Sequence, residues 1–153
     1  MRADRFGRVD RGLCLLVAAL LIIDAVVHLR LAANYQLAQP SGIGEGTLFR
    51  LEAGVALLAA GYLVVRPSRS ALVVAVIIGL SAFAAVVAYR YLDVPALGPL
   101  PRMYEPIWFF QKTLSAVAEG VAGLLALFTL ARRRHTRPPA RTSGSTRADT
   151  TPA

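Results

Sequence analysis

The stretch MYEPIWFFQKTLSAVAEGVAGLLALFTLARRR, Met103 to Arg134, decides the fold of this chain. From Pro106 to Ala131 it is apolar for longer than the roughly 20 residues a helix needs to cross a bilayer. It nevertheless contains Lys112 and Glu119. Ionised groups are costly in hydrocarbon, so they face the interior of a bundle and are paired there. Lys112 is also the only lysine; every other strongly basic residue is an arginine. A membrane helix with an inward polar stripe needs partner helices, and the rest of the chain supplies them.

The chain has 153 residues, of which 56% are hydrophobic and 17% charged. Its mean hydropathy is +0.53. That is too apolar for an ordinary soluble domain and points to a membrane protein. The net charge is +8, concentrated toward the two termini. A basic excess flanking apolar segments reads as membrane orientation, not as nucleic-acid binding. The basic tail also lacks the aromatics on which bases would stack, which excludes a nucleic-acid partner. The single cysteine, Cys14, excludes an intrachain disulfide and paired-thiol chemistry, and reads as a small buried hydrophobe.

Four stretches are long enough to span: about 12–31, 47–65, 71–89 and 106–131. The expected fold is therefore an all-α bundle of four transmembrane helices in one membrane domain, residues 12–131. Arg2, Arg5, Arg8 and Arg11 precede the first span; Arg66 and Arg69 sit in the turn RPSRS; Arg132, Arg133 and Arg134 follow the fourth. With four spans all three groups fall on one side. The positive-inside rule then places the basic N-terminus (1–11) and the basic tail (132–153) in the cytoplasm, with the multi-pass bundle in the plasma membrane. Tyr35, Tyr89, Tyr91, Tyr104 and Trp108 collect at the opposite, outer end as an aromatic belt.

A cleaved signal peptide is the rival for the first span. Its apolar run exceeds the usual h-region of about 7–15 residues, and Asp24, His28 and Arg30 precede any cleavage point. The tail from His135 is rich in Pro, Ser, Thr and Arg, which predicts disorder, with its basic start against anionic lipid headgroups. Small residues recur at helical spacing in span three (Ala71, Ala75, Gly79, Ala82) and span four (Ala116, Gly120, Gly123), as packing faces.

Depth sorts the ionisable residues. At about 1.5 Å per residue from the outer ends, Arg50 lies about 5 Å deep, His28 about 6 Å, Glu52 about 8 Å, Lys112 about 9 Å, Asp24 about 12 Å and Glu119 about 20 Å. Asp24 and His28 are four residues apart; Lys112, Ser115 and Glu119 follow the three-four spacing of one helix face. Span three has no ionisable group between its ends, only Ser81. This fits a ring in which span one neighbours both two and four. Three acids then face two bases, so His28 or one acid carries a proton; Glu119, deepest and without a base at its level, is the candidate neutral acid. A purely structural core, with Glu52–Lys112 and Asp24–His28 as its pairs, is the competing account.

Specific chemistries find little support. Two-histidine haem ligation fails because only His28 lies in a span. A zinc or iron centre from Asp24, His28 and Glu52 is weakly specified, so no metal is assigned. There is no serine-nucleophile elbow, hence no catalytic residue. SGIGEG (Ser41–Gly46) lacks the Lys-Ser/Thr pair of a phosphate loop and reads as a flexible connection, with Thr47 capping span two. LGPLPRMYEP (Leu97–Pro106) is stiffened by prolines. It predicts a lid over the polar cluster, with Tyr104, Glu105 and Trp108 as its residues and Pro106 in the first turn of span four.

At RLEAGVALLAA (Arg50–Ala60) and LGPLPRMYEPIWFFQKTLSAVAE (Leu97–Glu119) the chain resembles a group of small uncharacterised four-helix integral membrane proteins of actinobacterial type. Bundle size alone also makes it similar to the DoxX-like membrane proteins, a likeness of architecture that transfers no residues. Neither resemblance implies an established activity. Where the first group carries an acid before the lysine, this chain has Gln111.

The expectation is a non-enzymatic membrane module. Asp24, His28, Arg50, Glu52, Lys112, Ser115 and Glu119 are its candidate ligand or proton site. The site would take a small ligand, lipid headgroup or quinone-like molecule in the outer half of the bundle, and no cofactor is indicated. One alternative is a proton- or ion-coupled oligomeric transporter with Glu119 and Asp24 as relays, although no inverted repeat is visible. The other is a structural or assembly subunit of a larger membrane complex.

Overall fold

The computed structural model describes residues 7–38, 44–95 and 103–135. The expected disordered tail beyond 135, the first half of the SGIGEG loop and the first part of the expected lid lie outside the described residues. Four helices make up the described chain: α1 (Arg8–Ala38), α2 (Glu45–Val65), α3 (Arg69–Tyr91) and α4 (Phe110–His135). All four are long and apolar enough to cross a membrane. Their outward faces are lined with large apolar side chains, among them Leu58, Val65, Ile77 and Leu124, each more than half exposed. A soluble monomer rarely shows so continuous an apolar surface; facing lipid, it costs nothing.

Local chemistry sets the helix ends. Ser68 caps α3, its hydroxyl accepting from the Ala71 N–H at 3.2 Å. Pro67 follows the last turn of α2 and prevents its continuation. The N-cap of α2 is Gly44 rather than Thr47, with Glu45 in the first turn complementing the positive helix end. The helix gains a turn because the glycine adopts an extended cap (φ −70°, ψ 161°) without help from a side chain.

Two helix bounds depart most from expectation: α1 runs seven residues past Leu31, to Ala38, and α4 begins at Phe110, four residues after Pro106. The backbone of Glu105 is committed elsewhere. Its N–H donates to the Tyr89 carbonyl at 3.1 Å, and its own carbonyl accepts from Lys112 Nζ at 2.6 Å. Glu105 is thereby held against α3 and Lys112, and the first helical turn closes from Phe109 O to the Thr113 N–H at 3.0 Å.

The ring expected from the polar residues is the ring observed. α1 packs along both α2 and α4, α3 packs along α4, α2 touches α3 over a shorter stretch, and α1 and α3 stand diagonally opposite. The helix starts and ends rich in arginine (Arg8, Arg11, Arg66, Arg69, Arg132, Arg133) gather at one end, called here the basic end; the other is the loop end. At the basic end, Asp10 pairs with Arg132 at 2.5 Å and Arg133 at 3.6 Å. Above it, Cys14, Leu21, Leu63 and Leu72 interlock with alanines from all four helices. The small-residue faces do close the α3–α4 contact. A Cβ on Gly79 would stand 2.8 Å from the Glu119 carbonyl oxygen, and one on Gly123 would meet Leu80 at 2.7 Å.

Candidate functional site

Toward the loop end the bundle opens into a cavity of about 410 Å³. Every helix and the segment before α4 contribute to it. Its floor is His28, Glu52, Ser115 and Glu119; its upper rim is Tyr35, Glu45, Tyr89, Glu105 and Lys112; between them stand apolar and aromatic residues such as Leu48, Phe49, Ala85 and Phe109. Floor and rim are separated by seven residues on α2 and on α4, about 10 Å along a helix. Leu51 and Val55 also belong to the wall while being 60% and 45% exposed. The cavity therefore has a side opening where α2 and α3 make their thinnest contact.

The floor is a hydrogen-bonded cluster. Asp24, His28, Ser115 and Glu119 are all buried. His28 Nδ1 lies 2.9 Å from Asp24 Oδ1 and 3.2 Å from the Asp24 carbonyl oxygen; its Nε2 lies 3.9 Å from Glu119 Oε1. Ser115 Oγ lies 2.6 Å from Asp24 Oδ1 and 3.0 Å from Glu119 Oε1. A hydroxyl has one hydrogen to donate. If it serves Asp24, the nearer oxygen, the Glu119 contact needs a proton on that carboxyl or a positive charge beside it. Phe49 closes one side of the cluster, its ring edge-on to His28 at 5.3 Å.

Ser115, His28 and Asp24 do not form a nucleophilic relay. Both Ser115 (3.4 Å) and Asp24 approach the same ring nitrogen, Nδ1, whereas a relay needs them on opposite nitrogens.

The expected Asp24–His28 pair is present, while one expected isolation and one expected pairing are corrected. Glu119 is not isolated: His28 from α1 reaches its depth, because α1 and α4 cross with these residues side by side. Lys112 pairs with Glu105, 3.5 Å from its carboxylate and 2.6 Å from its carbonyl, and not with Glu52. The lysine points up toward the rim, while Glu52 lies at the floor. Arg50 is exposed and is not part of the cavity wall. Two residues from Glu52, it falls on the opposite side of α2, since i and i+2 do not share a face.

Of the expected lid residues, Glu105 ties most. Its carboxylate also accepts from Tyr35 OH, so this one residue joins the ends of α1, α3 and α4. Tyr104 lines the cavity, and Trp108 lies outside it with Lys112 Nζ 5.7 Å from its ring centroid. Tyr35, Glu45 and Phe49 belong to the site and were missed by sequence reasoning. Their signal was present: His28 and Tyr35 are seven apart, and Glu45, Phe49 and Glu52 follow a four-three spacing.

The chain has no match among protein-family models, curated proteins or solved structures.

Proposed function

We propose that this protein is a plasma-membrane module, both termini cytoplasmic, that holds a small amphiphilic molecule in the loop-end cavity. The occupant's polar group, a lipid headgroup or a quinone-like ring, rests on the floor at His28, Glu52, Ser115 and Glu119. Its apolar part lies along Leu48 and Phe49 and leaves between α2 and α3. The observation that carries this reading is the cavity's layering: polar floor, apolar wall, polar rim and a lipid-side opening flanked by Leu51 and Val55. Ligand sites are mostly apolar concavities of about 300–1,000 Å³ with a few placed polar groups, and this cavity fits that description. The arginines at the basic end support the orientation.

A binding role fits better than transport across the bundle. Below the floor, Leu21, Leu63 and Leu72 are fully buried among alanines, which leaves the polar cluster open from one side only.

The test is mass spectrometry of small molecules retained by the protein in native-membrane nanodiscs, for wild type and for Ala85→Trp. The indole would fill the wall between floor and rim. One hydrophobic species held by wild type and lost from a folded Ala85→Trp supports the reading; no retained species, or equal retention by both, defeats it.

A further inference from the structure

The cavity floor carries more acid than its surroundings neutralise. Asp24 and Glu119 have side chains only 1% exposed. Asp24 Oδ2, Glu119 Oε2 and Glu52 Oε1 are buried without a hydrogen-bond partner. Lys112, on the same face of α4, is held by Glu105 at the rim. A protonated His28 would answer one carboxylate of three. Unpaired buried charge is strongly destabilising, so the floor either keeps a proton on a carboxyl or takes up a further positive species in its place.

The imidazole shows where. Its Nδ1 faces Asp24 at 2.9 Å, which directs that hydrogen to the carboxylate and leaves Nε2 turned toward Glu119. The Nε2–Oε1 separation of 3.9 Å is too long for a hydrogen bond. It does fit one cation between the two atoms, at roughly 2.0–2.1 Å from nitrogen and 2.0–2.2 Å from oxygen. A carboxylate behind a ligating histidine is the usual outer support of such an ion, fixing the ring and its tautomer. Among the described residues, one donor atom each from Asp24, His28 and Glu119 lies within 4.8 Å of the others.

We infer that the cavity floor is a binding site for one divalent first-row transition cation of the zinc, iron(II) or cobalt(II) class, with His28 Nε2 and Glu119 as inner ligands and Asp24 as the positioning residue behind His28. The imidazole argues for this class over magnesium or calcium, which take six or more oxygens. Cys14 lies ten residues from Asp24 on α1, about 15 Å away along the helix, so no thiolate shifts the preference toward copper(I). The ion would occupy the same floor residues on which the amphiphile's polar group is proposed to rest, but its binding does not require that occupant. The ion needs only the floor, and the two tests can fail separately.

The experiment uses the untagged full chain in nanodiscs, stripped of metal and titrated with Co²⁺ or Zn²⁺ alone. Expected are one ion per chain by elemental analysis and visible cobalt bands. Glu119→Gln is expected to weaken binding by at least the roughly 100-fold that bounds outer-ligand effects, while Asp24→Asn weakens it about 10–100-fold and moves the bands. His135→Ala, in the only other histidine, leaves binding unchanged. Should Glu119→Gln lack a cooperative thermal transition, His28→Gln takes its place. Infrared spectroscopy of the metal-free protein is expected to show a protonated-carboxyl band, absent in Glu119→Gln, that Zn²⁺ removes as the ligand gives up its proton. No binding by wild type, equal binding by Glu119→Gln and His28→Gln, loss of binding in His135→Ala, or a carboxyl band indifferent to Zn²⁺ would each overturn the inference.

Discussion

The two halves of this bundle use the same four helices to opposite ends. At the basic end, Leu21, Leu63 and Leu72 fill the space between alanine-lined backbones, and the fully buried Thr129 satisfies its hydroxyl within its own helix, on the Leu125 carbonyl. At the loop end, His28, Glu52, Ser115 and Glu119 form the floor of a cavity of about 410 Å³, and α2 and α3, which make the shortest contact between neighbours in the ring, both line it. The boundary is the contact of Gly79 with Glu119 and Gly123, where two backbones meet with no side chain between them. Helices in lipid associate through packing and hydrogen bonds rather than through expulsion of water. A half that packs tightly can therefore hold together a half that does not.

The sharpest way to break this contrast is to hollow the packed half. Leu63→Ala, at a site with no exposure, is expected to cost about 2–5 kcal/mol. Leu48→Ala, in the wall of an existing cavity, should cost less, at or below the low end of that range, because it creates little new void. Thermal unfolding in one lipid composition compares them, and equal losses would erase the distinction. Next in size is the boundary. Gly79→Val forces its side chain against the α4 backbone, and overpacking of this kind costs about 1–3 kcal/mol. The same melting experiment reads it.

A smaller effect belongs to the rim. Tyr35→Phe removes the hydrogen bond to Glu105 and should cost about 0.5–1.5 kcal/mol. It should also speed thiol labelling of a cysteine placed at Met103 in the cavity wall; an unchanged rate would show that this bond does not hold the segment down. The smallest change is expected from Asp10→Asn. Its pair with Arg132 is partly exposed, and such pairs contribute about 1 kcal/mol or less. A larger loss on melting would mean that the basic end depends on its ion pairs more than on its alanines.

The four helices were legible because hydropathy and length act locally along the chain. So were the two polar faces, Asp24 with His28 and Lys112 with Ser115 and Glu119, because helical spacing alone brings those residues together. The ring order followed from the expected third span, 71–89, having no ionisable group between its ends, only Ser81. The partnerships between helices were not legible. They depend on how far each helix is rotated and slid against the next, and periodicity fixes neither. Hence Lys112 was matched by depth to Glu52 and instead meets Glu105, and Glu119 seemed alone although His28 stands beside it. The start of α4 was misjudged for a related reason. Pro106 suits a first turn, but Glu105 is held against α3 and Lys112.

Lys112 carries a practical consequence. It is the only lysine in the sequence, is 8% exposed, and its ammonium sits beneath Glu105. An acylating reagent thus finds one side-chain amine in the whole protein, and reaches it only while the segment before α4 is lifted. The speed of that single acylation, followed by intact mass, is a clock for the opening of the cavity in unmodified protein.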